Sequence, residues 1–106
     1  MDVGTYAKEV VENYSKDRSS SSRGRVIFAH AADAERSTSG EVPFTRAQRM
    51  AEHGMSQYDK YREGNMSHDK ARDRAAADVE RRFDSAGRDS QREMSQERPR
   101  SRGMGL

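Results

Sequence analysis

The chain has 106 residues, 36% of them charged, yet a formal net charge of only +2 and no cysteine. The missing cysteine excludes disulfides, thiolate metal sites and thiol nucleophiles. Leu, Ile, Val and Phe together supply 11 residues, with Leu106 the single leucine and Ile27 the single isoleucine, about half the ~20% share below which disorder is expected.

That shortage limits what the chain is expected to build. Ordering one residue costs ~1–2 kcal/mol of backbone entropy, while burying a Val or Phe returns ~1.5–3 kcal/mol. A fully packed domain of this length is not expected. The near-balance of charges nevertheless favours helices carrying i,i+4 ion pairs over an extended polyelectrolyte. The expected fold is mainly α: a small αα-hairpin with an N-terminal helix, a short apolar strand-like segment and partly disordered ends.

Residues 1–17 read as an amphipathic helix, with Val3, Tyr6, Ala7, Val10 and Tyr14 at three- and four-residue spacing. Asp2, Glu9 and Glu12 occupy the place where a signal peptide would be cationic. Residues 18–25, with Ser19 to Ser22 flanked by Arg18, Arg23 and Arg25, read as a flexible linker. Residues 26–44 hold the densest apolar run, Val26-Ile27-Phe28-Ala29, then a loop that ends at Pro43. The run is short enough for a strand, with a helix as the alternative.

Residues 45–86 read as a helical hairpin. Thr45 and Gln48 match a capping box, and the first stripe runs Ala47, Met50, Ala51, Gly54, Met55, Tyr58 and Tyr61. Gly64-Asn65 is a helix stop and Ser67 the next N-cap, before Ala71, Ala75, Val79, Phe83 and Ala86. Residues 87–106 lose the apolar stripe and read as an Arg-rich disordered tail.

No catalytic, cofactor or metal site emerges. His30, His53 and His68 do not fall at i,i+3 or i,i+4 of one another, the spacing by which two ligands share a helix face. No serine sits in a Gly-x-Ser-x-Gly elbow. The leading expectation is therefore a small cytoplasmic, non-enzymatic adaptor or inhibitor that binds a protein partner, with a homodimer as one version. Its contact residues would be Val26, Ile27 and Phe28 as an apolar plug and Met50, Met55, Tyr58 and Tyr61 as an adaptable face. The alternative is a nucleic-acid accessory protein using Arg18, Arg23, Arg25, Arg98, Arg100 and Arg102 on phosphates. No segment is apolar enough for a membrane span.

Three local resemblances accompany these readings. Gly54-Met55-Ser56-Gln57 followed by Tyr58 resembles the turn of helix-turn-helix DNA readers, which implies a break at Gly54; the positions that family buries fall here on Arg49, His53, Lys60 and Glu63. A short apolar segment followed by two helices is similar to ribbon-helix-helix repressors, with Val26-Ile27-Phe28 as the ribbon and residues 31–44 intervening. Arg92, seven residues, then Arg100-Ser101-Arg102 resembles the export tails of type IV secretion substrates, with Met104 replacing a fourth Arg. The last resemblance implies a mobile-element or secretion-associated protein.

Overall fold

The structure is a computed structural model that describes residues 2–84. The Arg-rich tail and Ala86 lie outside the described residues. Helices α1 (Val3–Ser15), α2 (Ser20–Ser37), α3 (Phe44–Glu63) and α4 (His68–Val79) follow one another, and a π-helical turn, Glu80–Asp84, continues α4. No strand occurs among the described residues.

Helix α1 begins where Asp2 accepts the Thr5 amide at 2.8 Å and the Thr5 hydroxyl at 2.6 Å, satisfying a free first-turn donor. Helix α2 replaces both the linker and the strand-like segment expected for this region. Ser19 is its N-cap, accepting from the Ser22 amide at 3.3 Å, so part of the serine run starts a helix. The helix then runs through Gly24 and Val26-Ile27-Phe28 without a break. A ribbon of the ribbon-helix-helix kind is thereby ruled out. Helix α3 starts after Pro43 with no side-chain cap, so Thr45 and Gln48 lie inside the first turns and do not form the expected capping box.

The stops after α2 and α3 each place a non-glycine residue in the left-handed region. After α2 it is Ser39 at φ 55°, and after α3 it is Asn65 at φ 70°. In each case the following amide reaches back five residues, Gly40 to the Glu35 carbonyl at 2.9 Å and Met66 to the Tyr61 carbonyl at 3.1 Å. These are Schellman closures. The second, with Ser67 capping α4 through the Lys70 amide at 3.4 Å, makes α3 and α4 the hairpin expected from Gly64-Asn65.

Helix α1 packs on α2, α3 and α4, and α3 packs on α1, α2 and α4. Between them lies a core of small and soft side chains: Ala7, Val10, Val11, Ala31, Ala47, Met50, Ala51, Met55, Ala71, Ala75 and Val79 are buried. Alanine lets helix axes approach closely, and unbranched Met fills the irregular gaps that remain. The core thus compensates for missing leucine by close approach.

Gly54 lies at the crossing of α1, α3 and α4. It is buried in the middle of α3, so the break implied by the helix-turn-helix resemblance does not occur there. A Cβ at Gly54 would meet Val79 Cγ2 at 3.3 Å and Val11 Cγ2 at 3.4 Å.

Candidate functional site

Helical geometry divides the expected apolar plug. Successive residues on an α-helix point about 100° apart, so three adjacent apolar residues cannot share one face. Val26 and Ile27 turn inward, each 9% exposed, whereas Phe28 turns outward and is 65% exposed. Among the described residues Phe28 is the single large hydrophobic side chain this open. Its ring meets Phe44, at the start of α3, edge-on with centroids 5.5 Å apart. Around it on α2 lie exposed Ser21, Gly24, Arg25 and Ala29, with half-buried Ala32 beyond. Apart from the adjoining backbone of α2, no atom stands within 4 Å of the point a Gly24 Cβ would occupy. The outer face of α2 is therefore an aromatic knob among small residues, with exposed Arg25 and Glu35 on either side of it.

The expected Met/Tyr face does not join it. Met50, Met55 and Tyr58 are core residues. Tyr61 is half-buried and donates its hydroxyl to Asp78. The expected phosphate-binding arginines are also divided. Arg18 pairs with Asp59 at 2.8 Å, and Arg23 lies 3.8 Å from the same carboxylate. Arg23 also donates to Ser56 Oγ at 3.2 Å. Arg18 stands over the Tyr58 ring and Arg23 over the Tyr14 ring, each at 5.7 Å. Arg25 is exposed and makes no ion pair among the described residues. Arg98, Arg100 and Arg102 lie outside them.

Three polar clusters tie the helices together. At the first, Tyr14 donates to Asp59 Oδ2 at 2.6 Å, and burial followed by this carboxylate raises the Tyr14 hydroxyl pKa. At the second, His68 bridges two elements, with Nδ1 2.9 Å from the Tyr58 hydroxyl and Nε2 3.0 Å from Glu12 Oε1. Arg72 reaches the same Glu12 oxygen at 3.0 Å. The Arg72 bond, then the His68 bond, holds the Glu12 carboxyl below its usual range. A histidine between a tyrosine and a glutamate has the outline of a proton relay, with Tyr58 buried at one end and the Glu12 side chain partly exposed at the other.

The third cluster surrounds Asp78, a buried carboxylate that accepts from Gln57 Nε2 at 2.8 Å and from Tyr61 and Arg81. Burial alone would raise its pKa, but the Tyr61 and Gln57 hydrogen bonds and nearby Arg81 outweigh that and lower it. Asp78 is not among the stripe positions read from the sequence. It lies seven residues after Ala71 and three after Ala75, which is the inner edge of the stripe, and its partners Gln57 and Tyr61 are themselves four residues apart on α3. Elsewhere, burial and then nearby Asp33 push the Tyr6 hydroxyl up to about 12, while it donates to the Ala47 carbonyl at 3.0 Å.

Among the described residues no group of three His, Cys, Asp or Glu side chains could hold a metal ion, and no helix is long and apolar enough to cross a membrane. No protein-family model, curated protein or solved structure matches this chain.

Proposed function

We propose that the chain is a small, non-enzymatic helical interaction protein that docks a protein partner on the outer face of α2. The observation that carries this reading is Phe28, 65% exposed beside Phe44 on a helix face where Ser21, Gly24 and Ala29 are small and exposed. Hydrating an aromatic ring costs free energy that the fold could avoid with a polar residue at this position. A partner helix can approach the Gly24–Ala29 surface closely and take the Phe28 ring into a pocket, the pattern of an interface anchor. Arg25, one turn before Phe28, suits an acidic residue at the rim.

The nucleic-acid alternative draws less support, because Arg18 and Arg23 are engaged with Asp59. Its remaining candidates among the named arginines are Arg25 and the three tail residues.

Phe28→Ala is expected to leave helicity and urea midpoint nearly unchanged, a shift within ~1 kcal/mol, because the ring is mostly in water already. A photo-crosslinking residue at Ala29 should capture one discrete partner in the native host, and the same residue at Lys60 should not. Phe28→Asp should abolish the Ala29 adduct. Equal adducts from both positions, or an Ala29 adduct indifferent to Phe28→Asp, would count against the docking face. An adduct of twice the chain mass would assign the face to a second copy.

A further inference from the structure

A second surface feature runs along α3 and contains neither Phe28 nor Phe44. Arg49, Glu52, His53 and Ser56 recur along one stripe of the helix, and Arg82 and Phe83 approach them from the π turn. Together they line a cleft of about 400 Å³. We propose that this cleft binds a phosphate monoester.

Three features of the cleft support this assignment. The first is its donor set. Arg49 and Arg82 make no ion pair among the described residues. Ser56 Oγ accepts from Arg23 Nη2 at 3.2 Å, which leaves the hydroxyl proton available for an anion. Arg82 Nη1 lies 3.5 Å from His53 Nδ1, an arrangement that puts the neutral ring's proton on Nε2. Guanidinium forks match phosphoryl oxygens two at a time.

The second is the charge of the cleft. Arg46 is held beside it, donating to the Phe83 carbonyl at 2.9 Å and standing 5.6 Å over the Phe83 ring. With Arg49 and Arg82, which line the cleft, it makes three guanidiniums against Glu52, which Gln48 approaches at 3.5 Å; the nearby Asp78 carboxylate is already paired with Arg81. The balance is two positive charges, which suits the dianion of a monoester. A nucleic-acid backbone instead favours cations spread along a track, with no carboxylate among them.

The third is the apolar wall. The Phe83 ring, edge-on to His53 at 6.2 Å, offers a surface for the organic group that a monoester carries. The π turn that positions it is a helix irregularity often found at functional sites.

Burial, and then Arg82, lowers the His53 pKa, with Asp78 opposing them. The charged groups around this ring are Arg49 and Glu52 on α3, Asp78 on α4 and Arg82 on the π turn. A dianion in the cleft should raise that pKa, so loading is visible at the imidazole itself.

The test is an NMR titration of the full chain with inorganic phosphate, phenyl phosphate and a short DNA duplex, at constant ionic strength. Saturable shifts at His53, Arg49 and Arg82 are expected with both phosphates, tighter for phenyl phosphate, with a raised His53 pKa on loading. Arg49→Gln and Arg82→Gln should each weaken binding at least about tenfold without moving the melting temperature, while Lys60→Gln leaves it unchanged. Shifts that grow linearly with phosphate, or that chloride reproduces, would overturn the proposal. So would tighter binding of the duplex through the same residues, which would assign the cleft to nucleic acid.

Discussion

Gly54→Val is expected to abolish or severely weaken the fold, costing ~3 kcal/mol or more through overpacking and β-branched crowding in a helix. The reason is the three-helix crossing, where even a Cβ would stand 3.3 Å from Val79 Cγ2 and 3.4 Å from Val11 Cγ2. Two further methyl groups have no space unless α1 or α4 moves. Gly54→Ala is the finer test. Intrinsic propensity favours alanine in a helix interior by ~1 kcal/mol, whereas forcing two valines aside costs ~1–3 kcal/mol. Net destabilisation of about 1 kcal/mol is the expected outcome. Combining Gly54→Ala with Val79→Ala should recover part of the strain, giving a favourable coupling energy in the double-mutant cycle. Additive urea-unfolding energies would mean that these residues do not meet.

Asp78→Ala is the second large expected effect, a loss of ~2–3 kcal/mol, the range of hydrogen bonds to a charged group. Removing the carboxylate leaves Gln57 Nε2 and the Tyr61 hydroxyl without their acceptor and frees Arg81 from its pair. Asp78→Asn keeps an acceptor oxygen and should lose roughly half as much. The same site sets a pH dependence. The Asp78 pKa in the fold lies below its ordinary value of 3.8. Its stabilisation is therefore complete above that value and is lost as pH falls from there through the folded value. Urea unfolding of wild type and Asp78→Asn should accordingly differ at neutral pH and converge in acid. A difference that persists or grows in acid would contradict the assignment.

Much of the helical pattern is legible in the sequence because it rests on local chemistry. The α1 stripe, the Gly64-Asn65 stop and the Ser67 cap depend on residues a few positions apart, and those spacings are visible in one dimension. Helix α2 was hidden because serine and glycine are weak helix formers, and the composition of 18–25 matches that of a linker. Its stability comes from tertiary burial of Val26, Ile27, Ala31 and Ala34, which local propensity does not register.

The core was underestimated for a related reason. Counting Leu, Ile, Val and Phe prices side-chain area, whereas this bundle gains contact by bringing alanine-lined helices close, with Gly54 as the limiting case. The candidate site was legible only in part. Phe28 is conspicuous in sequence, but its outward direction follows from the helical phase of α2, which the strand-like reading could not supply. The partners of Arg18 and Arg23 lie on α3, with Asp59 41 residues from Arg18, and no local pattern links them. Asp78 did carry a signal, since its spacing from Ala71 and Ala75 matches the buried stripe.

The central claim is that residues 2–84 form one cooperative bundle, whose α2 displays Phe28 as an outward knob. Native-state hydrogen exchange of the full chain tests it most directly. The slowest amides of all four helices, including those of Val10, Ile27, Met55 and Val79, should open with one common free energy. That value should equal the global unfolding energy from urea denaturation. Protection confined to α3 and α4, with α1 and α2 exchanging at markedly lower free energy, would leave only the hairpin as a folded unit. The alanine-packed bundle would then be contradicted.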